Sequence, residues 1–162
     1  MKRPAWSRLM IAFLVATAIA TVWGAIVQTQ FNLARLARIG IDIPIATWLG
    51  TTARDVFSGF SPTYAGYIVA PSFLVAFAAA WMISRWRPSR TLLWFGLAGG
   101  AAILAGIPLV NELAPVALLI GATRDVLCTV LMAIGGLIAG LVFARMIAAP
   151  ERLPHTGPLP AV

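Results

Sequence analysis

Four stretches of this chain run long enough without charge to cross a lipid bilayer, and nothing else in the sequence constrains the fold as much. Lipid offers the backbone no hydrogen-bond partner, so a crossing segment must be a self-satisfied helix of about 20 apolar residues. The first stretch lies between Arg8 and Arg35, with residues 9–28 the expected span. The second lies between Asp55 and Arg85 (span 64–84), and the third between Arg90 and Glu112 (span 91–110). The fourth, between Asp125 and Arg145, must use nearly all of residues 126–145. Only 10% of the 162 residues are charged, against about 25% in an ordinary soluble domain. The fold class that follows is an all-α membrane protein with four transmembrane helices.

The formal net charge of +7 is unevenly placed. Lys2, Arg3 and Arg8 precede the first span; Arg85, Arg87 and Arg90 fill the turn between spans two and three; Arg145 and Arg152 follow span four. Only Glu151 opposes them. At the other ends of the spans Arg35, Arg38, Arg54 and Arg124 are matched by Asp42, Asp55, Glu112 and Asp125. A surplus of Lys and Arg on one side predicts that side to be cytoplasmic, with both termini there. A bacterial inner (plasma) membrane is the expected location. Because the charges hug helix ends, no nucleic-acid partner is expected. Residues 1–18 have the make-up of a signal peptide, with Ala16-Thr17-Ala18 as a cleavage site. The apolar run continues unbroken to Val27, however, so a retained first helix is expected.

A short phrase occurs twice. Residues 44–56 read PIATWLGTTARDV and residues 115–126 read PVALLIGATRDV, with the same spacing from proline to glycine. Each copy passes through an Arg-Asp pair into an apolar stretch. This predicts two parallel hairpin repeats, residues 9–84 and 91–147, related by an axis along the membrane normal. A basic lead (1–8), a basic turn (85–90) and a disordered Pro-rich tail (148–162) complete the chain. Each hairpin should carry a short interfacial or re-entrant helix in its outer segment, 31–56 or 111–125. In the first, residues 31–39 suit a short helix lying in the interface and closed by Gly40, while Pro44 opens the next. Residues 59–63 (GFSPT) predict a turn. Pro71 should kink or loosen span two, and Pro108 should end or kink span three.

Two Arg-Asp pairs, Arg54-Asp55 and Arg124-Asp125, are the leading site candidates, joined by the outer polar residues Gln28, Gln30, Asn111 and Glu112. Brought together by the repeat, they would hold an anionic group, a lipid phosphate or a proton. The plainer reading is that each aspartate opens a descending helix and offsets its positive N-terminal dipole, while the arginines reach the headgroups. Asp55 and Asp125 as an aspartyl-protease dyad are disfavoured, because such a dyad shares a proton and each of these aspartates has an arginine beside it. Glu112 is the remaining acid–base candidate. The single cysteine, Cys128, and the single histidine, His155 in the tail, exclude a disulfide redox pair, bis-histidine haem and a histidine-based zinc site. No cofactor and no metal are expected.

Small residues at helical spacing let backbones approach in lipid. Ala16, Ala20 and Gly24 in span one, Gly96 and Gly100 in span three, and Gly136 and Gly140 in span four are the predicted packing faces. These stripes exceed what a loose bundle needs. The expected partners are therefore membrane lipids together with other membrane subunits or a second copy. The expected role is a non-catalytic subunit of a larger assembly, set against a small transporter or lipid-binding protein with its site between the repeats.

Overall fold

The computed structural model describes residues 6–113 and 125–148. Of the described residues 92% are helical and none is in a strand. Four helical segments are long and apolar enough to cross a membrane. The second copy of the repeated phrase, up to and including Arg124, lies outside the described residues, as do residues 1–5 and the tail from 149 onward.

The first helix, α1 (Trp6–Arg38), has 33 residues and at about 1.5 Å per residue is far longer than the bilayer core. It does not break after Gln28, so residues 31–38 are its continuation and not a separate interfacial helix. The reason is local. Gln28, Thr29, Gln30 and Asn32 are polar, but none stops a helix as glycine or proline does. The stop comes at Gly40, whose φ is 85°. There the N–H of Gly40 bonds to the carbonyl of Ala37 (3.1 Å) and that of Ile41 to the carbonyl of Leu36 (3.2 Å). This is a Schellman closure, and its left-handed residue is one that only glycine adopts without strain.

A short helix, α2 (Ile45–Phe57), follows Pro44. It closes when the N–H groups of Ser58 and Gly59 both bond to the Arg54 carbonyl, at 2.9 and 2.8 Å. The next helix, α3 (Phe60–Tyr64), starts at once. The turn expected over 59–63 is thus confined to Ser58 and Gly59. Pro62 sits in the first helical turn, where a missing N–H costs nothing.

The span continues through one wide π turn (Ala65–Val69) into α4 (Ala70–Trp86). The Ala70 N–H bonds back to Ala65, one residue further than in an α-helix. Pro71 explains it. Its ring would collide with the carbonyl four residues earlier and its nitrogen carries no proton, so the turn before it widens. After a 3-10 turn (Pro88–Arg90), α5 (Thr91–Leu113) runs through Pro108 without ending there, and α6 (Val126–Ile147) completes the bundle.

α6 packs between α1 and α5, and α4 packs against the other side of α5. α1 meets the second span through α3 and the π turn. The α5–α6 seam is the closest. A Cβ added at Gly99 or at Gly136 would run into the other's backbone oxygen, and one at Gly140 into the carbonyl of Phe95. On the α4 side the space is filled by rings. Phe77 stacks on Phe73 (4.7 Å) and Phe143 (4.5 Å), and Phe95 stands edge-on to Phe77 at 5.7 Å.

Between α1 and α6, the Trp23 ring covers Gly135 and its indole N–H donates to the Leu131 carbonyl at 2.8 Å. Of the predicted packing residues, Ala16, Ala20, Gly24, Gly96, Gly136 and Gly140 are buried in contacts within this one chain. Gly100 is buried too, but its nearest neighbours would meet an added Cβ at an ordinary 3.6 Å. The tight position is its neighbour Gly99.

Candidate functional site

Polar residues at one end of the spans gather where α1, α2 and α3 meet. On α2, Trp48, Thr52 and Asp55 are spaced by one helical turn and form one stripe. That stripe faces α1. The Trp48 indole N–H donates to Gln30 Oε1 at 2.6 Å, Gln30 Nε2 donates to Thr52 Oγ1 at 3.1 Å, and the Thr52 hydroxyl donates to the Trp48 carbonyl at 2.9 Å. Each donor has one acceptor, so the three residues close a ring of bonds.

One residue earlier on α1, Thr29 Oγ1 lies 2.7 Å from Asp55 Oδ2 and 2.8 Å from the Ala25 carbonyl. Its single proton has two acceptors, and the carboxylate is the stronger. Thr29 is 2% exposed and Asp55 half-buried, so the bond is partly buried.

The two aspartates hold different positions. Asp125 is the N-cap of α6, and its Oδ1 accepts the Leu127 N–H at 3.0 Å. That is a capping and dipole role. Asp55 does not open a descending helix. It sits in the last turn of α2, because the chain turns only after Ser58, and it folds back against Gly59. Arg54 is exposed beside it, suitably placed for the negative helix C-terminus. Arg124 lies outside the described residues. Glu112 is exposed and Asn111 half-buried near the end of α5.

Below this ring is a second, buried junction. The Tyr64 ring lies on Gly24 and stacks on Phe60 at 4.9 Å. Gln28 is one turn beyond Gly24 on α1, and Ser61 lies one turn before Tyr64 on α3, the helix that α1 meets. Gln28 Oε1, Ser61 Oγ and the Tyr64 hydroxyl are buried there without a hydrogen-bond partner among the described residues. The thiol of Cys128, fully buried at the start of α6, is within electrostatic reach of Tyr64, Arg35 and Asp125. The arrangement can hold helices together and can hydrogen-bond a small polar group. Among the described residues no three His, Cys, Asp or Glu side chains converge as metal ligands.

Sequence reasoning singled out Gln28, Gln30 and Asp55 but not the residues that engage or neighbour them: Thr29, Trp48, Thr52, Ser61 and Tyr64. The signal for Trp48, Thr52 and Asp55 was their spacing of one helical turn along α2. Nothing in one sequence pairs Tyr64 with Gly24. The class that the fold defines is a multi-pass helical membrane protein. No family model matches the chain, and neither a curated protein nor a solved structure is similar to it.

Proposed function

We propose that this chain is a non-catalytic integral membrane subunit of a larger inner-membrane assembly. The supporting observation is how its polar side chains are engaged. Asp125 caps α6, Asp55 accepts from Thr29, and Gln30, Trp48 and Thr52 bind one another. These groups hold helices, and no nucleophile–base pair is formed among them. The small-residue stripes face inward within the chain, so they no longer argue for a second copy. A partner would instead meet the apolar outer surface or α2.

In this reading α2 lies in the plane of the outer interface. Its helical wheel has four flanks. Trp48, Thr52 and Asp55 face α1; Thr47, Thr51 and Arg54 form a polar flank; Ile45, Leu49 and Val56 form an apolar flank opposite it. Ala53 and Phe57 face away from α1. Ile45 is 79%, Leu49 65% and Phe57 83% exposed. In water this helix would be inside out. With headgroups above and acyl chains below, each flank has a matching medium. The basic ends of the spans then face the cytoplasm, and the hairpins form two parallel repeats.

Native mass spectrometry of the tagged chain, drawn gently from its own membrane, tests the reading. Fixed-stoichiometry recovery with other polypeptides is the expected result, and a lone homo-oligomer would overturn it. One observation favours a second reading, a small transporter or lipid-binding protein with its site at the outer polar junction: the unpartnered buried oxygens of Gln28, Ser61 and Tyr64. That reading requires Asp55→Asn or Tyr64→Phe to abolish flux or ligand retention in a folded protein.

A further inference from the structure

The basic end of the spans has its own construction. α4 finishes in Arg85 and Trp86, Arg87 caps it, and Arg90 ends the 3-10 turn before α5. The turn is locally fixed: the Arg90 N–H bonds to the Arg87 carbonyl at 3.2 Å and the Thr91 hydroxyl to the Pro88 carbonyl at 2.8 Å. Antiparallel packing brings two more arginines to this end. Arg145 lies just beyond the contact of Gly140 with Phe95, and Arg8 lies near the start of α1, which runs against α6. The described carboxylates, Asp42, Asp55, Glu112 and Asp125, all lie at or beyond the opposite ends of the spans.

Arg85, Arg87 and Arg90 are exposed. Beside them a cavity of about 470 Å³ opens to the surface, lined by Met82, Ile83, Arg85 and Trp86. Its described lining is three apolar side chains and one guanidinium, all within five positions of α4, with Arg87 and Arg90 following in the turn. Trp86 is 89% and Met82 69% exposed. An occupant must carry negative charge for the guanidinium groups and hydrocarbon for the thioether and aliphatic wall. A free phosphate supplies only the first. A zwitterionic lipid supplies both, but its own ammonium group offsets the attraction.

We propose that the α4–α5 turn is a binding site for a phospholipid with a net negative headgroup. The phosphate lies among Arg85, Arg87 and Arg90, whose guanidinium forks match phosphate oxygens in pairs. The first methylenes run along Met82 and Ile83. The Trp86 indole lies at headgroup depth, where its ring is half in hydrocarbon. Basic clusters next to a span attract anionic lipid by charge; here the cavity adds a place for the chain. The inference rests on the membrane reading but not on the subunit reading.

The test uses the full chain, first shown to resist alkaline-carbonate extraction, so that failure of the membrane reading is seen separately. Native mass spectrometry then compares retention of phosphatidylglycerol and phosphatidylcholine with the same acyl chains. We expect phosphatidylglycerol to be retained at about tenfold lower concentration. Joint R85Q, R87Q and R90Q should erase that preference, and R38Q at the opposite end, exposed and outside both candidate sites, should leave it. Met82→Gln should weaken phosphatidylglycerol retention with every charge in place. Equal retention of the two lipids by the native chain would overturn the site, as would a preference that survives the triple change. Full competition by millimolar inorganic phosphate would mean that an ion, not a lipid, is bound. Melting curves of each variant, read alongside, exclude loss of fold as the cause.

Discussion

Two helix junctions in this molecule are built on opposite principles. In the α5–α6 seam the backbones touch at Gly99, Gly136 and Gly140. The α1–α2 junction is the reverse: no residue of α2 is buried, and side-chain hydrogen bonds from Trp48, Thr52 and Asp55 hold it to α1. The difference follows from the medium. Between two spans in lipid there is no hydrophobic drive to association, so close van der Waals contact must do the work. α2 lies at the acidic ends of the spans and none of its residues joins the buried core, so polar bonds fix its position. Changes in the seam should therefore affect the whole bundle. Changes in the junction should release one helix.

The largest effect is expected from Gly136→Leu. The new side chain meets the Gly99 carbonyl and the Ile103 side chain, and backbone cannot move aside as a flexible side chain can. Overpacking of this kind costs about 3 kcal/mol. Thermal melts in detergent should show the loss of a single folded species, and Gly99→Leu should match it. If either variant melts like the native chain, the seam is not the close contact described.

Trp48→Phe comes next. It removes the indole donor and leaves Gln30 Oε1 unpaired, a loss of about 1 kcal/mol. Because α2 is not part of the buried core, the expected readout is local. Hydrogen exchange should speed up in residues 45–57 while the melting temperature of the bundle stays in place. A global shift of the same size as for Gly136→Leu would erase the distinction between the two junctions.

Asp125→Ala should cost a similar amount, about 1 kcal/mol, by leaving an N-terminal amide of α6 without its acceptor. Asp125→Asn should restore most of it, since an asparagine oxygen caps as well as aspartate does. This pair separates capping from charge. Were the carboxylate needed for binding or proton transfer, the asparagine variant would fold and fail.

How far the molecule could be read from its sequence depends on which kind of junction is asked about. The spans were legible because an uncharged apolar run of that length has few alternatives. The loosened turn before Pro71 was legible because proline removes a particular bond. The continuation of α1 past Gln28 was misread, since polar residues mark a change of surroundings and not a helix end. Asp55 was misplaced for a related reason: the repeated phrase pairs it with Asp125, but the turn after Ser58 leaves it in the last turn of α2. The polar stripe on α2 was present in the spacing of Trp48, Thr52 and Asp55. Its partners on α1 were not, because pairing between helices is set by three-dimensional register.

Gly100→Ala carries the smallest effect and the sharpest contrast. Spacing alone puts Gly96 and Gly100 on one stripe, so a reading by spacing treats both as contact positions. In the structure the partner's backbone approaches Gly99, while a methyl group at Gly100 would find the Ala133 carbonyl and Leu137 Cβ at 3.6 Å. That is ordinary contact. Alanine also favours the helix over glycine by about 1 kcal/mol in water. The expected outcome is a melting temperature equal to or slightly above the native value, with Gly99→Ala clearly below it. The two glycines are adjacent, both buried and chemically identical, so only the direction of the facing helix distinguishes them. A reversed order would mean that α5 is rotated by about 100° relative to α6, one residue's worth of helical turn. It would move the close seam onto the stripe that the sequence suggests.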